Sequence, residues 1–222
     1  MATPAPRISE IFLSLQGEGP SAGTPAHFVR LQGCDVGCHW CDTKYAWEFG
    51  GGDEISLDEV WRRARDLGES PLLVVTGGEP CQQPGLERLL EQGLGIWERV
   101  EVETSGVAPP PLQHPRLFYN VSPKLPSATK HWPETWRHVR AWVEEPRATF
   151  KFVVGDPPDL DDAERLIREH SIPAPRVMLM PEGMTDERLR ARAVLLAEAC
   201  RRGGYRLSPR LHIWMWGARR GV

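Results

Sequence analysis

The segment LLVVTGGEP, Leu72 to Pro80, decides how this chain is read. Four consecutive Leu and Val residues make a strand, and two glycines, a carboxylate and a proline close it abruptly. The same grammar recurs on both sides of it. HFVRL (27–31), RVEVETS (99–105), LFYNVSPK (117–124), TFKFVV (149–154), RVMLMPE (176–182) and RLHIWMW (210–216) all read as strands. Amphipathic helical patterns lie between several of them, over 57–68, 84–92, 159–170 and 185–202. Ser56 is the expected N-cap of the first, with Glu59 three residues on to complete a capping box.

Strands rich in Val, Leu and Ile that alternate with helices imply a mostly parallel α/β sheet with the helices packed outside. At 222 residues the chain falls short of a complete eight-unit barrel of about 250 residues. The expectation is therefore one domain over 1–222, a partial, open TIM-like barrel. In such folds chemistry collects at the carboxyl ends of the strands. TGGEP, ETSG and SPK stand at three successive strand ends, so three polar signatures converge on one site.

Composition narrows the partners. A net charge of −3 gives no general attraction to nucleic acid or to anionic membranes. No apolar run reaches the roughly 18 residues of a membrane span. The start, MATPAPRISEIF, lacks a basic segment followed by a long apolar core, so a cytoplasmic protein is expected. Five cysteines, three of them clustered, suit metal ligation in a reducing compartment better than a disulfide framework.

The clustered three form Cys34-x3-Cys38-x2-Cys41, just beyond a strand. One reading is structural zinc with His39 or a remote residue as fourth ligand, although His39 is cramped between two of the cysteines. The other is an iron–sulfur cluster on three thiolates, with one iron open to a ligand such as the amino and carboxylate groups of S-adenosylmethionine. TGGEP at the next strand end favours the second, because glycines admit a ligand close to the backbone and Glu79 offers a partner for an ammonium.

These residues resemble the radical S-adenosylmethionine superfamily: CX3CX2C with Trp40 before the last cysteine, then GGEP. Within it the chain resembles the 7-carboxy-7-deazaguanine synthases. The likeness runs from EIFLSLQGEGPSAGTPAHFVRLQGCDVGCHWCDT through TGGEP, ETSG and SPK to LHIWMWGARRGV, with QGEG the most discriminating piece. The resemblance implies a radical lyase of the queuosine pathway. It would convert 6-carboxy-5,6,7,8-tetrahydropterin to 7-carboxy-7-deazaguanine with loss of ammonia. The cofactors implied are a 4Fe-4S cluster, S-adenosylmethionine and Mg2+. A flavodoxin or ferredoxin would be the electron donor, and the chain would form a homodimer.

Residue by residue, the resemblance puts the cluster on Cys34, Cys38 and Cys41. His39, Trp40, Gly78, Glu79, Ser122, Pro123 and Lys124 would surround the cofactor, and Met180, Pro181, Glu182 and Gly183 its adenine. Leu15, Gln16, Gly17 and Thr76 would meet the pterin, and Arg30 would fork onto its carboxylate. Thr43 would ligate magnesium. Cys81 and Cys200 are expected to be inert and Trp214 and Trp216 to be core residues of a terminal strand, while His212 either faces the pocket or, as a lone histidine more often does, is satisfied in the core.

Overall fold

The structure, a computed structural model, describes residues 5–222. Met1–Pro4, the beginning of the stretch inspected for a leader, lie outside the described residues. One eight-stranded sheet runs through the rest in chain order: β1 (Ile8–Leu15), β2 (Pro25–Leu31), β3 (Leu72–Gly77), β4 (Arg99–Thr104), β5 (Leu117–Val121), β6 (Ala148–Val154), β7 (Val177–Pro181) and β8 (Arg206–Leu207). β1 pairs antiparallel with β2, and every later neighbour is parallel. β1 and β8 are the two edges, so the barrel is open.

Among the described residues there are six α-helices: α1 (Leu57–Asp66), α2 (Leu86–Leu94), α3 (Val139–Glu144), α4 (Pro157–Glu169), α5 (Asp186–Gly203) and α6 (Leu211–Trp216). The first helix begins where the sequence says. Ser56 Oγ accepts from the Glu59 amide at 3.2 Å, while the Glu59 carboxylate pairs with Arg62 and Arg63 instead of returning to Ser56. Asp156 caps α4 in the same way.

Alternation along each strand divides the molecule into two environments. One set of positions, including Val29, Leu73, Val75, Val100, Phe150 and Leu179, is wholly buried and packs in the main apolar core. The alternate set faces the barrel interior. At the amino-terminal end it is apolar: Ala26, Phe28, Leu72 and Val74 cluster there, and Phe12 stacks on Phe28 with ring centroids 4.7 Å apart. Next comes Glu101, fully buried, which accepts from Arg99 (2.6 Å), Asn120 (2.9 Å) and Ser21. The interior is thus closed below by side chains and opens only at the carboxyl ends of the strands.

One predicted strand is a helix. RLHIWMW forms α6, with Trp214 60% exposed and only Ile213 buried, so the two tryptophans are not core residues of a strand. The sheet ends at the two-residue β8, and Pro209 separates it from residues that have no neighbouring strand to pair with. Leu211 instead donates its amide to the Gly17 carbonyl at 2.9 Å. β1, α3 and β8 went unforeseen in the sequence.

Candidate active site

The cysteine loop leaves β2 at its carboxyl end and is pinned on two sides. Gly33 and Cys34 donate their amides to the Ala46 and Trp47 carbonyls at 2.8 and 3.0 Å. On the far side Thr129 Oγ1 donates to the Val36 carbonyl (2.7 Å), and His39 donates from Nδ1 to the Ala128 carbonyl (3.1 Å). The His39 ring is therefore committed outside the cavity. Cys34, Cys38 and Cys41 all line one cavity of about 460 Å³.

Burial pushes the Cys34 thiol up to about 11 and raises that of Cys38, so both carry protons that a metal must displace. Among the described residues no three His, Cys, Asp or Glu side chains converge on a single-ion site. A donor set of three thiols, with the His39 ring committed to the Ala128 carbonyl, suits an iron–sulfur cluster with one open iron better than a closed four-ligand zinc site.

The GGEP turn is folded against that loop with no space between. Gly78 donates its amide to the Leu31 carbonyl and Glu79 to the Gly33 carbonyl, both at 2.9 Å. A Cβ on Gly78 would lie 2.2 Å from the Gly33 oxygen and 2.7 Å from that of Ala46. Gly77, at φ 150°, has the left-handed backbone that glycine permits. Glu79 is 2% exposed and bridges the ends of β3 and β4. It accepts from Cys81 N (2.9 Å), Thr104 Oγ1 (2.5 Å), Ser105 N (2.7 Å) and Ser105 Oγ (2.6 Å). Among the described residues this buried carboxylate has no salt-bridge partner, which leaves its charge available to an incoming cation.

QGEG forms the opposite wall. Gln16 donates from Nε2 to Glu103 (3.1 Å), which also accepts from Thr76 Oγ1 (3.0 Å). Gly17 sits so close to α6 that a Cβ would fall 2.1 Å from His212 Nδ1. Glu18 accepts from Lys151 Nζ (2.5 Å) and Arg210 Nε (2.9 Å), with His212 Nε2 at 3.8 Å. Burial alone would raise the Glu18 carboxyl, but the Lys151 and Arg210 charges outweigh it and hold it far below the ordinary range. Gly19 donates its amide to Ser208 Oγ at 2.9 Å. The most distinctive segment of the sequence therefore ties the start of the fold to its end.

Arg30 and Thr76 line the cavity on adjacent strands in register. Arg30 Nε donates to Glu10 at 2.6 Å, and among the described residues neither Nη has a hydrogen-bond partner. Lys124 donates to Ser122 Oγ at 3.2 Å and lies 5.4 Å from the Trp40 ring centroid. Gln16, Gly78, Glu79, Thr43, Met180 and Glu182 line the same cavity. Thr43 Oγ1 stands 3.5 Å from Cys41 Sγ. His39, Pro123, Pro181 and Gly183 are not part of the lining. His212 is, which favours the pocket-facing of its two readings over the core one.

Sequence reasoning missed Glu18, Glu103, Lys151 and Arg210. A signal existed for two of them, since Lys151 is the one charged residue of β6 and Glu103 continues the alternation of charged Arg99 and Glu101 with buried valines in β4.

Residues 28–118 match the Radical SAM superfamily. A 7-carboxy-7-deazaguanine synthase of Pyrobaculum aerophilum is 44% identical over 99% of each chain, and one of Hyperthermus butylicus 35% identical over 93% of this chain and 91% of its own. The crystal structure of QueE from Escherichia coli superposes with a TM-score of 0.65 at 30% identity, over 91% of this chain and 92% of that one. With its thiols, GGEP turn and QGEG wall around one cavity, the chain belongs to the 7-carboxy-7-deazaguanine synthase family of the radical S-adenosylmethionine superfamily.

Proposed function

We propose that this cavity carries out the ring contraction of 6-carboxy-5,6,7,8-tetrahydropterin to 7-carboxy-7-deazaguanine. The observation that carries the reading is the meeting of CX3CX2C, GGEP and QGEG in one cavity closed at its base. Cys34, Cys38 and Cys41 would hold the cluster, and with S-adenosylmethionine bound it would supply the radical chemistry that begins the reaction by hydrogen abstraction from the pterin. The protein's part is to orient the substrate and to exclude water.

Arg30, with Nε fixed by Glu10, presents its two free Nη groups to the substrate carboxylate. Gln16, Leu15, Gly17 and Thr76 flank the pterin ring, and Glu103 holds both Gln16 and Thr76 in place. Glu79 and the Gly78 carbonyl would receive the cofactor's ammonium, Ser122 and Lys124 its other polar groups, and Met180 would pack on its adenine, all of them lining the cavity. Thr43 would offer its hydroxyl to Mg2+, a cation that keeps several waters and takes few protein oxygens. Residues 218–222 line the outer rim, where Arg220 donates to Glu10 (2.8 Å) and covers the Tyr45 ring (3.9 Å), which shields the radical from solvent. A small flavodoxin- or ferredoxin-type protein supplies the electron, and the chain works as a cytoplasmic homodimer.

The test is direct. Protein reconstituted with iron and sulfide without oxygen, then reduced, is given S-adenosylmethionine and the carboxypterin, and the product is read by mass spectrometry. Formation of 7-carboxy-7-deazaguanine is expected, with a dependence on added Mg2+. Cleavage of S-adenosylmethionine without that product would reject the reading.

A further inference from the structure

Arg210 stands where three walls of the cavity meet. Its side chain is 9% exposed, and its planar guanidinium is used on all its edges. Nε donates to Glu18 at 2.9 Å, one Nη to the Gly183 carbonyl at 2.7 Å, and the other Nη to the Asp42 carboxylate. Glu18 belongs to the substrate wall, Gly183 follows β7, and Asp42 lies between Cys41 and Thr43 at the end of the cysteine loop. Glu18, Asp42 and Gly183 lie 192, 168 and 27 positions from Arg210 in sequence.

The two carboxylates are not equivalent. Glu18 has a second cation in Lys151, whereas Asp42 has no other ion-pair partner among the described residues. The local charge balance is three carboxylates, Glu18, Glu103 and Asp42, against Lys151 and Arg210, with His212 adjacent and kept neutral by burial. Removing Arg210 would leave Glu18 compensated and Asp42 free. The structural consequence falls on the cysteine loop.

We propose that Arg210 is a positioning residue that holds the cysteine loop, through Asp42, at a fixed separation from the substrate wall, through Glu18. The proposal rests on the functional reading above, because the separation it sets is that between the cluster-bound cofactor and the pterin. Arginine suits the task for a geometric reason. A rigid fork with five donors spans three acceptors at once, and the point charge of a lysine cannot. A displacement of about 1 Å between reacting groups is enough to lower turnover about 100-fold.

Arg210→Met keeps the apolar stem and removes the fork. No thiol is touched, so iron content and the cluster's absorbance should equal those of the unaltered protein. In productive turnover the cofactor is reformed, so net 5′-deoxyadenosine reports cleavage that missed the substrate. Its ratio to 7-carboxy-7-deazaguanine should rise about tenfold or more in Arg210→Met. Arg210→Lys should recover little of the loss. Asp42→Asn should reproduce the defect, and the double variant should be no worse than the poorer single one, because both break the same link. Multiplicative defects, or an unchanged ratio with only a raised KM, would overturn the proposal.

A second readout needs no turnover. In the apoprotein, amide hydrogen exchange over residues 40–44 should quicken about tenfold in Arg210→Met and in Asp42→Asn. Unaltered exchange there would overturn the link even if the unaltered protein proved to make some other product. Faster exchange with no 7-carboxy-7-deazaguanine from the unaltered protein would uphold the link and reject the assigned reaction.

Discussion

Replacing Gly78 by alanine adds one methyl group where two loops have no space for it. The new Cβ would stand 2.2 Å from the Gly33 oxygen, 2.6 Å from its carbonyl carbon and 2.7 Å from the Ala46 oxygen. Ordinary contact begins near 3.4 Å, so the obstacles must retreat by about 1 Å. All three are backbone atoms, and rotamer changes cannot relieve them. Overpacking costs typically about 1–3 kcal/mol, and a backbone obstacle places this site at about 3. For a chain of this length that lowers the melting temperature by about 6–12 °C. The retreat also moves Gly33, the residue before Cys34, so cluster retention should fall with stability. The assay is thermal unfolding of the apoprotein followed by iron counting after reconstitution. A Gly78→Ala protein that melts within a degree of the original and binds full iron would refute the account of why this turn carries glycine.

Other expectations concern charges and caps. Glu79→Gln replaces an acceptor of four hydrogen bonds by a group that is half donor, which should cost about 3 kcal/mol in urea unfolding and abolish cofactor affinity. Glu10→Gln should raise KM for the carboxypterin about tenfold, since Glu10 orients Arg30 and anchors Arg220, while leaving iron content unchanged; an unchanged KM would remove Glu10 from the substrate clamp. Burial holds His27 and His212 below their ordinary range, so the unfolded chain binds their protons first and stability should begin to fall below about pH 6.5. Burial raises Glu10 and Glu18, but their cationic and hydrogen-bonding partners lower both overall, so a steeper loss should follow below about pH 4.3. Urea midpoints measured across pH 3–8 test the order of these two limbs. Ser56→Ala should cost about 1 kcal/mol through the lost cap and leave turnover untouched, which makes it a control for stability without the site.

The parallel sheet was legible because Val- and Leu-rich strands ended in TGGEP, ETSG and SPK, and a parallel barrel brings such ends to one rim. CX3CX2C and GGEP were legible as a pair for the same reason. The interior charges were not. Glu103 and Lys151 alternate with apolar residues, and an antiparallel strand with one solvated face would give the same pattern. Only the curvature of the sheet turns that face inward. α6 was misread because alternating Leu, Ile and Met with Trp between them suits a strand if a partner strand exists, and past β8 none does. Arg210 and His212 gave no local signal, since their roles depend on Glu18 and Gly17, some 190 positions away.

The bond between Gly17 and Leu211, with that between Gly19 and Ser208, also bears on the order in which the molecule assembles. Closing a loop of that span is among the entropically dearest steps in the chain, and contacts of such sequence separation form late. The cysteine loop and the GGEP turn that supports it bond to each other within residues 31–79, and all their further anchors but Arg210, among them those at residues 104–105 and 128–129, also precede the last segment. During maturation most anchors of the cysteine loop can therefore form before the last segment latches over it, and the Arg210–Asp42 bond completes them. Iron has an open approach to the nascent barrel for as long as residues 208–222 remain undocked.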